Sequence, residues 1–218
     1  MLFLLTGDAQ IGKTRWLEDL CASLQAAGTC VAGVVAPGQW VPRPEGQPGG
    51  KHGFDGAGCF EKLGIDNVLL PQGGRIEFAR RRDLAAGGKA FAEGAQAKAA
   101  KLGWAISDTA IAQVNAHFAT LAKQAANETR LAPHAMLVVD ELGRLELLRG
   151  CGLTNALAIL DAGPTPQFPH AIAVVRETLL DEARRRFEPR WSKATVIGPD
   201  DAARNLVLET ARAAGGAH

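Results

Sequence analysis

Strands alternating with helices predict a three-layer α/β fold: a mostly parallel central sheet with helices on both faces. Three observations lead there. The runs 2–6, 30–35, 135–139 and 171–175 are continuously apolar, as strands covered on both faces must be. Most are followed by a segment with apolar residues at helical spacing. The chain has 218 residues, 47% of them hydrophobic. That is enough for one core and little more, so one domain over 1–218 is expected.

In chain order, Leu2–Thr6 is a strand closing in a glycine turn. From Lys13 to about Ala27, Trp16, Leu17, Leu20, Cys21 and Leu24 mark a helix that Gly28 ends. A strand at Cys30–Val35 follows. Residues 37–54 hold four prolines and five glycines. This composition disfavours helix and central strand, so an irregular insertion, with at most an edge hairpin, is expected there. Between Phe54 and Trp104 only Val68–Leu70 reads as a strand, and 85–101 is Ala/Gly-rich with weak periodicity. Ser107 is placed to cap a helix carrying Ile111, Val114, Phe118 and Leu121 to about Ala126. A strand at Ala135–Val139 runs into Asp140-Glu141. The remainder reads as a helix near Thr154–Leu160, a strand at Ala171–Val175 with a helix after Glu177, and a strand at Ala194–Ile197 with a helix after Asp200.

The most specific motif is Gly7-Asp8-Ala9-Gln10-Ile11-Gly12-Lys13-Thr14, which fits G-x-x-x-x-G-K-[ST] at every fixed position. Glycines let the backbone wrap so that successive N–H groups face phosphate oxygens. Lys13 brings a positive charge to the β and γ phosphates, and the Thr14 hydroxyl is a ligand for Mg²⁺. The following helix adds its positive dipole end. An ordinary glycine turn is the plainer explanation, but an apolar strand before and an amphipathic helix after are the context a phosphate loop requires. The nucleotide-contacting stretch is expected to run through Arg15. Asp8 is expected to face solvent, because a carboxylate aimed at phosphate opposes binding.

The second motif is Met136-Leu-Val-Val-Asp140-Glu141. Asp140 is suited to hold Mg²⁺ and Glu141 to orient and deprotonate a water in line with the γ phosphate. Alone, such a pair is commonly a solvated strand end; the upstream loop gives it a partner. Arg144 and Arg176 are candidates to neutralise phosphoryl charge, against the commoner role of a solvated surface arginine. The runs Arg80–Arg82 and Arg184–Arg186 have acidic neighbours and read as solvated helix faces. Trp40, Trp104 and Trp191 are each either core or base-stacking, with Trp40 the one to watch.

A formal charge of +1, from 24 Lys and Arg against 23 Asp and Glu, leaves no broad field to hold nucleic acid or an anionic membrane. Cys21, Cys30, Cys59 and Cys151 form no CxxC pair, so reduced thiols are expected. The apolar amino terminus is far short of a membrane span and lacks a basic leader, so a cytoplasmic location is expected.

Gly7–Thr14, Gly50-Lys-His-Gly-Phe54 and the string Asp140-Glu-Leu-Gly-Arg-Leu-Glu-Leu147 together resemble the small P-loop nucleoside-triphosphatase family of the thermophilic and cancer-related type. The resemblance implies a RecA-like P-loop fold and slow, Mg²⁺-dependent hydrolysis of ATP, GTP and other triphosphates with broad base tolerance. It places Lys13 and Thr14 on phosphate and metal, Asp140 and Glu141 as the acidic pair, and Arg144 at a position usually basic in the family. Gly33-Val-Val-Ala-Pro-Gly-Gln-Trp40 departs from the family's glycine-aromatic-threonine stretch, residues 37–54 are expanded, and Arg15 replaces a frequent hydroxyl residue. Two alternatives stand beside hydrolysis. One is a nucleotide or small-molecule kinase; the other is a nucleotide-dependent accessory protein in cofactor or metal metabolism, its partner left open.

Overall fold

The computed structural model describes residues 1–8, 11–42, 60–81, 91, 93–99, 104–126 and 134–215. Strand β1 (Leu2–Leu5) is buried throughout, and helix α1 (Lys13–Ala26) follows it. Next come β2 (Val31–Val35), β3 (Gly38–Pro42), β4 (Phe60–Leu70), β5 (Gly74–Arg81), α2 (Ala95–Ala99) and β6 (Trp104–Ile106). The rest is α3 (Asp108–Ala126), β7 (Met136–Leu142), α4 (Arg144–Arg149), α5 (Thr154–Ala162), β8 (His170–Val175), α6 (Leu180–Trp191), β9 (Thr195–Ile197) and α7 (Asp201–Gly215).

Among the described residues these strands form one sheet in the order β6-β5-β4-β2-β7-β8-β1-β9, with β3 paired to β4. The five strands from β2 to β9 run parallel, whereas β3, β4, β5 and β6 are antiparallel. The expected mostly parallel sheet is therefore corrected to a mixed one. The cause lies in the stretch after Val35: β4 pairs antiparallel with β2, and the short turn Pro71–Gly73 then reverses the chain into β5 in place of a helical crossover. β2 is the seam, bonded in parallel to β7 on one edge and antiparallel to β4 at Gly33–Val35 on the other.

Alternate side chains of the parallel strands feed two cores. Leu2 and Leu4 point to a cluster with Val114, Phe118, Leu157 and Phe187, while Phe3 and Leu5 point to one with Leu17, Leu20, Leu24 and Val207. Helices α3, α5 and α6 thus cover one face, and α1 and α7 the other. The expected spacing is realised in α3, which buries Ile111, Val114, Phe118 and Leu121 and is capped by Ser107 Oγ, 3.2 Å from the Ala110 N–H. Trp191 is core, its indole N–H donating to the Leu160 carbonyl at 2.6 Å.

Other local expectations change. Gly38–Pro42 is a paired strand, while 43–54 lies outside the described residues. Arg80 and Arg81 sit on strand β5, not a helix face, because the segment pairs with β4 and β6. Arg80 pairs with Glu77, and Arg81 reaches Glu61 at 3.4 Å. Arg184, Arg185 and Arg186 do lie on a helix, paired with Glu188, Glu182 and Asp161. Among the described residues no helix is long and apolar enough to cross a membrane.

The seam depends on Gly33. Its φ is +130°, and a β-carbon there would lie 1.9 Å from the Val138 carbonyl oxygen. Gly33→Ala is expected to destabilise the fold by about 3 kcal/mol, through backbone strain plus forced separation of β2 from β7. Urea unfolding checks this; a loss below about 1 kcal/mol would mean the seam can open to admit a methyl group.

Candidate nucleotide site

The site lies at the carboxyl ends of the parallel strands, where open α/β sheets bind ligands. After β1 the chain turns through Gly7 to Gly12, which stands before the first residue of α1 with φ +95°. Ala9 and Gln10 lie outside the described residues. Lys13 is half-buried, and its Nζ donates to the carbonyls of Gly7 at 2.7 Å and Asp8 at 2.5 Å. It is thereby folded back over the loop it serves. Burial lowers the Lys13 pKa, with Glu141, Asp140 and Asp8 opposing that shift. Asp8 is exposed, as expected for a carboxylate in an anion-binding loop.

Asp140 and Glu141 are consecutive, so a regular strand would send them to opposite faces. It does not. The β7–β8 register shifts between Val139 and Leu142, one extra residue bulging out of β7, and Glu141 takes φ +69°. Both carboxylates line one cleft as a result. Asp140 is only 3% exposed; it accepts the Ala36 N–H at 2.8 Å and the Thr14 hydroxyl hydrogen bond. Burial pushes its pKa up to about 6, against the pull of those two hydrogen bonds. Glu141 is better solvated and pairs with Arg176 at 3.0 Å. That pair is largely exposed, so it orients more than it stabilises.

The cleft has a volume of about 750 Å³, within the range of small-molecule sites. Gly7, Asp8, Ile11, Gly12, Lys13, Thr14 and Arg15 line it beside Asp140, Glu141 and Arg176. The described site residues expected from sequence thus meet in one place, apart from Arg144. Arg144 is exposed on the first turn of α4 and lines a second cavity of about 260 Å³. That cavity shares Asp140, Glu141 and Arg176 with the cleft and has apolar walls at Ile65, Phe78, Ile106, Leu145 and Leu153. Behind it, buried Glu146 accepts N–H groups from Gly143 at 2.9 Å and Leu153 at 3.1 Å, tying α4 to the following turn.

Sequence reasoning missed Lys62. It reaches the cleft from β4, in a stretch to which no element was assigned, and no motif surrounds it. Trp40 and Trp104 also line the cleft, so these two expose a face to it instead of joining the main cores.

A divalent ion can be tested against the donors present. Among the described residues no group of three or more His, Cys, Asp or Glu could hold a metal. Thr14 and Asp140, however, bring a hydroxyl and a carboxylate together. This hard-oxygen pair suits Mg²⁺, which takes few protein ligands and completes its shell with phosphate and water.

No family model and no curated protein matches the chain. Two solved structures resemble it. THEP1 from the hyperthermophile Aquifex aeolicus superimposes with a TM-score of 0.57 at 16% identity, covering 96% of each chain. The solution structure of a human cancer-related nucleoside triphosphatase gives a TM-score of 0.49 at 20% identity, covering 99% of this chain and 96% of that one. The first likeness establishes the fold: a mixed sheet between helical layers, as in THEP1.

Proposed function

We propose that the chain is a Mg²⁺-dependent nucleoside-triphosphate hydrolase, a single RecA-like P-loop domain of the small nucleoside-triphosphatase type, releasing NDP and phosphate. The carrying observation is the bulge that turns buried Asp140 and solvated Glu141 into the cleft of Lys13 and Thr14. The placement of β8 between β1 and β7 also fits a RecA-like arrangement. Lys13 offers charge to the β and γ phosphates. Thr14 and Asp140 would hold Mg²⁺, which when bound neutralises phosphate charge. Glu141 accepts a proton from the attacking water, and Arg176 holds that carboxylate in place while adding positive charge nearby. Broad base tolerance belongs to the same proposal and is read from the relative rates on ATP, GTP and CTP.

The test is phosphate release by the purified protein from ATP, GTP and CTP with Mg²⁺. Slow release from all three, abolished by EDTA, is the expected result. Binding without release would move the assignment to phosphotransfer, the second reading, which the apolar-walled cavity against Glu141 favours because it offers room for an acceptor.

A further inference from the structure

Lys62 is a cation built into the cleft that neither motif accounts for. Three observations fix its setting. It lies across the β3–β4 ladder from Trp40, in register. Its ammonium stands 5.7 Å from the centroid of the Trp104 ring. The backbone beside it is crowded to glycine: a β-carbon on Gly38 would come within 2.7 Å of both Lys62 Cε and Trp40 Nε1. The lysine thus stands across the ladder from one indole, with its charge over the ring of another.

Its electrostatic surroundings point inward. Burial lowers the Lys62 pKa, while Glu141 and then Asp140, which line the same cleft, act the other way. No hydrogen bond or ion pair to a carboxylate of the described residues accompanies that attraction. Desolvating an ammonium without a directed partner costs free energy, partly offset by the Trp104 ring. A surface lysine of a purely structural kind would instead extend its head to water. A polyanion entering the same cleft gives this charge the partner it lacks.

We propose that Lys62 is a second phosphate-reading cation, reaching from β4 to the terminal phosphate of a bound nucleoside triphosphate opposite Lys13. Moving off Trp104, it binds the γ phosphate and neutralises the charge that develops there during hydrolysis. The role rests on the hydrolase reading for its catalytic half only; recognition of a triphosphate over a diphosphate needs no hydrolysis.

The experiment compares wild type with Lys62→Met, which keeps an unbranched apolar stem, and Lys62→Arg, which keeps the charge. Phosphate release, binding of ADP and of a non-hydrolysable ATP analogue, and Trp fluorescence are read on each. In Lys62→Met, kcat should fall about a hundredfold, ADP affinity should stay within about twofold, and the preference for triphosphate over diphosphate should collapse. Lys62→Arg should recover most of both. The fluorescence change produced by the ATP analogue but not by ADP should vanish in Lys62→Met, since Trp104 no longer has a cation to lose. Unchanged kcat and unchanged triphosphate preference in Lys62→Met would overturn the proposal. A wild type that binds the analogue but releases no phosphate defeats the hydrolase reading alone; the triphosphate preference then decides Lys62 by itself.

Discussion

Glu141→Gln is expected to lower phosphate release by about a thousandfold or more while nucleotide affinity stays within a few-fold. Gln keeps the size and much of the hydrogen bonding of Glu but cannot take a proton from water. It also removes a negative charge near the terminal phosphate, so affinity should if anything tighten. The ion pair with Arg176 is lost, at little cost to stability because Arg176 is exposed and Glu141 partly so. A companion variant separates chemistry from backbone. Glu141 holds φ +69°, a conformation that costs a non-glycine residue on the order of 1 kcal/mol. Glu141→Gly should therefore raise thermal stability while abolishing hydrolysis. Retained turnover in the Gln variant would remove Glu141 from the mechanism; a destabilised Gly variant would show that the bulge is not strained.

The second large effect is at Asp140, where function and stability should part. Asp140→Asn is expected to reduce Mg²⁺-dependent release by a similar factor, since Asn offers the metal no charge. The same change should stabilise the protein measured in EDTA. Folding buries the carboxylate and raises its pKa from 3.8 to about 6, so the folded chain binds the proton more tightly than the unfolded one. Stability contributed by this group consequently falls as pH rises from about 4 to about 6, and the full penalty persists above. Asn carries no such penalty and can still accept from the Ala36 N–H. A gain of about 3 kcal/mol above pH 6, disappearing below pH 4, is the expected profile. Chemical denaturation at pH 4 and pH 8 checks it, and a variant less stable than wild type at pH 8 would contradict the sign.

The parallel half of the fold and its chemistry were legible because each signal is local. A buried strand such as Leu2–Leu5 is a continuous apolar run, and the phosphate loop is a fixed spacing of residue types. The antiparallel half obeys no such local rule. In β4 the ladder to β5 shifts register between Ile65 and Asp66, so the period-two alternation that would betray a half-buried strand is broken. β3 ends in a proline and shifts register at Gln39/Trp40, and β5 is mostly polar. Within the site, Asp140 and Glu141 were legible as residue types. The bulge that aims both at one cleft was not, because it follows from pairing with β8. Lys62 was hidden for the same reason: its neighbours Trp40 and Trp104 are brought to it only by strand register.

The seam at β2 has a mechanical consequence. Among the described residues β4 is bonded to β2 at Val68–Leu70, and toward Phe60 it pairs with β3 and β5. Lys62 stands six residues beyond that root, about 20 Å along an extended strand. With Val68–Leu70 as a pivot, a rotation of about 5° would move the position of Lys62 by nearly 2 Å, at that rise per residue. Such a pivot would make the sheet a gear as well as a scaffold, turning a small angular change beside the core into a displacement the size of a made or broken contact.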